Sequence, residues 1–118
     1  MRRRRGRLLE IEEVILDAAI ILKVQGSASF HGFSIAKSIQ EAHGARRLTA
    51  HGTLYKALGR LERAGLLASE WENPDVAVEE GRPRRRLYHV TDLGEKAMAL
   101  SRADKPLPDM AVRGLATQ

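Results

Sequence analysis

The stretch TAHGTLYKALGRLERAGLL, from Thr49 to Leu67, constrains the fold more than any other part of the chain. Leu54, Leu58 and Leu61 recur at helical spacing while Lys56, Arg60 and Arg63 fall elsewhere, so one helix carries an apolar anchor and a cationic, solvated face. Gly65 stops the helix, and the residues after it have strand character. The element is held from behind, presents its front, and runs straight into a strand.

Its neighbours complete a pattern. From Leu8 to Val24 the apolar positions Leu8, Ile11, Val14, Ile15, Ala18 and Leu22 form a helical stripe, with Glu10, Glu12, Glu13 and Asp17 in the early turns where the helix dipole favours anions. Leu9, Ala19, Ile20 and Ile21 widen that stripe beyond one core face, which predicts burial against a partner chain. Gly26, Ser27, Ala28 and Ser29 break the helix. A second helix is expected over Phe33 to Ala42, anchored by Phe33, Ala36 and Ile39 and stopped at Gly44. Arg46 and Arg47 lie in the linker to the third. Two short helices joined by a few residues are the helix-turn-helix arrangement, in which the second enters the major groove of DNA.

After Gly65, Leu66 to Glu72 reads as a strand and Arg84 to Val90 as its partner, with Arg86, Tyr88 and Val90 alternating against Leu87 and His89. Asn73, Pro74, Gly81 and Pro83 between them are turn formers. The outgoing half of this wing is acidic, with Glu72, Asp75, Glu79 and Glu80, and the returning half carries Arg82, Arg84, Arg85 and Arg86. Thr91 is an N-cap for a last helix over Asp92 to Arg102, with Leu93, Ala97 and Leu100 on one face, ended by Pro106 and Pro108. The expected fold is mainly α with a small two-stranded antiparallel hairpin (α+β), a winged helix-turn-helix over residues 8 to 102. Residues 1 to 7 form a basic arm, expected to be disordered when free, and residues 103 to 118 a tail.

The 118 residues suffice for one small domain, and with aromatics at 4% its core must rest on Leu, Ile, Val and Ala. A formal charge of +5, a pI of about 10.1 and an excess of Arg over Lys favour a polyanionic partner. The absence of Cys excludes disulfides and thiolate chemistry. Carboxylates interrupt any leader after the N-terminal arginines, and no apolar run approaches the roughly 18 residues of a membrane span, so the expected setting is the cytoplasm without membrane contact. His31, His43, His51 and His89 form no ligand pair on a shared turn, and no catalytic triad, phosphate loop or carboxylate pair stands out, so neither a metal, a cofactor nor enzymatic activity is expected.

HGFSIAK (His31 to Lys37), HGTLYKALGRLERAGLL (His51 to Leu67) and GRPRRRLYHVTDLG (Gly81 to Gly94) together resemble the PadR family of bacterial transcriptional regulators, over roughly residues 8 to 102. The resemblance implies a dimeric winged helix-turn-helix protein that binds double-stranded DNA, most often as a repressor. It implies dimerisation through Leu8, Ile11 and Ile15 of the first helix and Leu93, Ala97 and Leu100 of the last, the latter crossing to the other subunit. Some relatives bind a small apolar effector against a tryptophan of the last helix. Here Trp71 lies on the first wing strand instead, and Ala50 stands where the family usually places a capping Ser or Asn, so Thr49 is the expected cap.

Within that frame Thr53 offers a hydroxyl to a phosphate or base edge, Gly52 leaves room for DNA, and Tyr55 either packs its ring or points its hydroxyl at a phosphate. Lys56 and Arg60, one turn apart, are expected on the exposed face as DNA contacts, with a solvated helix face as the alternative. His51 either reads a base edge or is simply exposed. Arg82, Arg84, Arg85 and Arg86 are expected to clamp phosphates. Arg3 and Arg5 belong either to a solvated tail or to an arm that follows phosphates or enters a minor groove. The rival reading is a winged helix that serves as a protein-interaction module with only non-specific DNA affinity.

Overall fold

The computed structural model describes residues 7–27, 29–43 and 51–104. Five helices and two strands follow in the order α1 (Glu10–Val24), α2 (Gly32–His43), α3 (His51–Arg63), β1 (Leu67–Trp71), α4 (Pro74–Glu79), β2 (Arg86–Val90) and α5 (Asp92–Arg102). Ala28, the α2–α3 linker with Ala50, residues 1–6 of the arm and the expected tail beyond Asp104 lie outside the described residues, so the capping role expected of Thr49 does too. No helix among the described residues is long and apolar enough to cross a membrane.

Four of the described helix ends have a local cause. Glu12 accepts from the Leu9 N–H at 2.7 Å and closes the first turn of α1. Gly26, at φ 96°, ends α1 as Ser27 N–H returns to the Leu22 carbonyl at 2.8 Å. Gly65 does the same for α3 at φ 79°, a left-handed conformation that costs other residues, and Leu66 N–H bonds the Leu61 carbonyl at 2.9 Å. Thr91 caps α5 as expected, its Oγ1 accepting from Gly94 N–H at 3.0 Å while donating to the Gly65 carbonyl at 2.6 Å. That single hydroxyl ties the end of α3 to the start of α5.

Ile15, Leu16, Ile35, Ile39, Leu58, Leu61, Leu66 and Leu67 are fully buried and knit α1, α2, α3 and β1 around one core. Each such side chain contributes about 1.5–3 kcal/mol relative to exposure, and the anchor expected of Leu54, Leu58 and Leu61 is buried throughout. The hairpin pairs Leu67 with Val90, Ser69 with Tyr88 and Trp71 with Arg86. Phe30 adds a bridge on the far side of β2, exchanging bonds of 2.8 and 2.7 Å with Tyr88, and the two rings stack at 5.9 Å. This bridge brings the start of α2 against the root of the wing.

Two features depart from the sequence expectation. The wing contains α4 where only turns were expected: Asn73 accepts from Asp75 N–H at 2.9 Å as N-cap and Pro74 occupies the first turn. In addition, α5 packs on α1 of its own chain, joined by Lys23–Glu95 at 3.1 Å and Arg102–Asp17 at 2.6 Å. Ile15 and Ala97 have no exposed surface and Leu8 has little, so these three close the protomer's own core, while Ile11, Leu93 and Leu100 stay half-buried. On the outer face of α1, Ile21 and Val24 are exposed, the latter at 81%.

Candidate nucleic-acid interface

The first two turns of α3 present Gly52, Thr53, Tyr55 and Lys56 outward. Tyr55 lies over the start of α2, and a Cβ at Gly32 would collide with its ring and hydroxyl, so the glycine permits the close approach of α2 to α3. The side chain of His51 and the residues Arg3 and Arg5 lie outside what is described.

Arg60 does not belong to this face. It is 9% exposed and its Nε donates to Oε2 of Glu12 at 2.8 Å, where the Glu12 side chain is fully buried. The helical step from Lys56 turns Arg60 toward Ala57 and Ala64, both buried against the core, and its long side chain reaches α1 from there. The expected position on the exposed face is corrected: the Arg60 guanidinium pairs with an interior carboxylate.

Arg82 is likewise engaged at home. Its two terminal nitrogens donate to the two carboxylate oxygens of Glu72 at 2.6 and 2.9 Å, and its Nε donates to Glu80 at 2.9 Å. The Arg82 hydrogen bonds, aided by the backbone N–H of Arg85, hold the Glu72 carboxyl down at about 2. A guanidinium shared by two carboxylates braces the wing, its charge offset locally by Glu72 and Glu80.

The remaining wing arginines are organised differently. Arg84 and Arg86 place their Cζ atoms 5.2 and 5.1 Å from the ring centroid of Trp71, which is 54% exposed and forms a cation–π platform for both. Arg86 also donates to Ser69 Oγ at 3.0 Å and lies 3.7 Å from Glu62. Arg85 turns the other way, bringing Nη1 to 3.1 Å from Nε2 of His31. His31, Gly32, Phe33, Tyr55, Tyr88 and the three arginines line one open groove of about 310 Å³.

His31 is the residue that sequence reading left unused. Its backbone N–H donates to Ser34 Oγ at 3.2 Å and its Nδ1 accepts from Ser34 N–H at 3.3 Å, a reciprocal cap of α2 with histidine in the capping place. Burial, then the charges of Arg85 and Arg82, lower its pKa from the ordinary imidazole value against the opposing pull of Glu72. Phe33 stacks beside the ring at 6.4 Å.

This arrangement can hold a polyanion along α3 and the wing. A family model described as the transcriptional regulator PadR-like family matches residues 21–100. The crystal structure of a candidate transcriptional regulator from Thermoplasma acidophilum is 28% identical, with a TM-score of 0.56 over 79% of this chain and 82% of that one. That of a PadR family transcriptional regulator from Eggerthella lenta DSM 2243 is also 28% identical, with a TM-score of 0.52 over 76% of this chain and 74% of that one. No curated protein matches significantly. Winged-helix architecture, recognition helix and family match agree: the chain belongs to the PadR-like family of transcriptional regulators, which regulate by binding DNA and are not enzymes.

Proposed function

We propose that the protein is a homodimeric repressor that reads a pseudo-palindromic operator, with Thr53 and Lys56 at base edges and Arg84, Arg85 and Arg86 at phosphates. The observation that carries this reading is the shared groove, in which Tyr55 of α3 and three wing arginines line the same opening. Recognition helix and wing thus offer one continuous cationic side to a duplex. Exposed Ile21 and Val24, with the outer faces of Ile11, Leu93 and Leu100, support a second subunit, which would place two α3 helices about 34 Å apart in successive major grooves. Gly52 gives the DNA backbone room, and Arg3 and Arg5 supply additional phosphate contacts from the arm.

Binding to a selected operator and to mixed-sequence duplex, measured across a salt series, tests the assignment. Arg84→Ala and Arg85→Ala should weaken both DNAs alike and each flatten the slope of log K against log salt by about 0.9. Thr53→Ala and Lys56→Ala should instead change sequence preference, at roughly 1–3 kcal/mol per lost base contact. Unchanged slopes in the first pair would remove the wing from the contact surface. Unchanged preference in the second would remove α3 as the reader, leaving the non-specific interaction module.

A further inference from the structure

We propose that His31 and Arg85 together receive one backbone phosphate of bound DNA, making the start of α2 a third contact element beside α3 and the wing. The inference rests on the DNA-binding reading above and adds to it a residue, an element and a hydrogen-bonding role.

A neutral imidazole has one N–H and one bare nitrogen. Ser34 N–H donates to His31 Nδ1 at 3.3 Å, which requires the ring proton on Nε2. That nitrogen lies 3.1 Å from Arg85 Nη1, which is always a donor, so two N–H groups face each other. Moving the proton to Nδ1 lets Arg85 donate to Nε2 but sets Nδ1–H against Ser34 N–H. In either tautomer one of the two contacts is lost. An acceptor placed between Nε2–H and the guanidinium removes the conflict, because both groups then donate to it while Ser34 keeps its bond.

The surroundings define that acceptor. The groove opens to solvent and is lined by three guanidiniums, two phenols, Phe33, Gly32 and His31, with no carboxylate among the lining residues. The nearby carboxylate, Glu72, is already held by Arg82 and by the Arg85 backbone N–H at 3.2 Å. Such a lining suits a phosphodiester anion, and Tyr55 connects the same groove to the exposed turns of α3. The Ser34 N–H bond to Nδ1 orients the ring with Nε2 toward Arg85, and Phe33 lies parallel to it at 6.4 Å.

The test separates capping from phosphate binding. His31→Asn retains an acceptor for Ser34 N–H and removes the donor at Nε2, so thermal stability should stay at the wild-type value. Affinity for a mixed-sequence duplex should fall roughly tenfold, the loss of a hydrogen bond to a charged acceptor. The salt slope should not change, since a neutral donor releases no counterion, whereas Arg85→Gln should reduce it by about 0.9. The double variant should be weaker than Arg85→Gln by much less than tenfold, because both groups serve one phosphate. In 15N-labelled wild type, the His31 Nε2 resonance should move on addition of duplex, which keeps the proposal testable even where a variant fails to fold. Wild-type affinity in His31→Asn, or an Nε2 resonance unmoved by duplex, overturns the proposal while leaving the DNA reading intact. A resonance that responds to inorganic phosphate and not to duplex overturns the assignment to the DNA backbone. A wild-type protein without salt-dependent DNA binding overturns both.

Discussion

Replacing Arg60 by methionine separates structure from readout on the recognition helix. Arg60 and Glu12 meet at 2.8 Å with side-chain exposures of 11% and 0%. Solvent therefore screens the pair little, and removing the guanidinium takes one charge-assisted hydrogen bond from a buried carboxylate. Breaking a buried pair by deleting one partner costs about 3–5 kcal/mol. Against a total stability of about 5–15 kcal/mol for a domain, the loss is severe. It corresponds to a fall in melting temperature on the order of 10 °C or more. Glu12 also accepts the Leu9 N–H, a bond that glutamine can keep, so Glu12→Gln with Arg60→Met should recover much of the loss. Urea denaturation of the wild type, both single variants and the double variant gives the coupling directly. The urea midpoint should fall in Arg60→Met with an unchanged m-value, and the folded fraction should retain wild-type DNA sequence preference. A variant within about 0.5 kcal/mol of wild type, the ordinary range for a surface substitution, together with an altered sequence preference would refute the reasoning and return Arg60 to the DNA-facing side.

Other perturbations address the wing and the last helix. Because the Glu72 carboxyl is lowered from 4.5 to about 2, its stabilisation is complete above its unfolded value and disappears as pH falls from about 4.5 through about 2. Glu72→Gln should remove that part of the acid transition, and Trp71 fluorescence at the neighbouring position should report it. An identical acid limb in both proteins would deny the Glu72–Arg82 brace a role. Thr91→Ala should cost about 1 kcal/mol by uncapping α5, and Thr91→Ser should restore most of it in thermal melts. Equal melting of all three would show that the cap bond carries no net stability.

Element types were legible because their signals are local. The apolar stripe of α3, the stop at Gly65 and the cap at Thr91 each depend on residues within a turn or two. The helix α4 had a local signal too, Asn73 followed by Pro74, but the same residues also make turns, and its buried anchor is the single Ala77. The roles of the arginines were not legible. Arg60 pairs with a residue 48 positions away, and Arg85 meets His31 across 54. A sequence that shows only cations on a helix or strand cannot say which carboxylate or ring the fold brings to them. Glu12 was the available clue, since it interrupts the buried face formed by Leu8, Ile15, Leu16 and Ala19 and so needed a partner. The packing of the α1 stripe was not legible for a related reason: it serves the chain's own α5, and Ile21 and Val24 are the large apolar side chains of α1 left exposed.

The proposed function requires two copies of this chain to read DNA symmetrically with α3. Selection of bound duplexes from a random pool, followed by footprinting of the enriched sequence, measures specificity and geometry together. Symmetric reading should enrich an inverted repeat with half-sites centred about one helical turn, or a multiple of it, apart, protected on one face of the duplex. Enrichment of no sequence, or of a single asymmetric site bound by one chain, would contradict it.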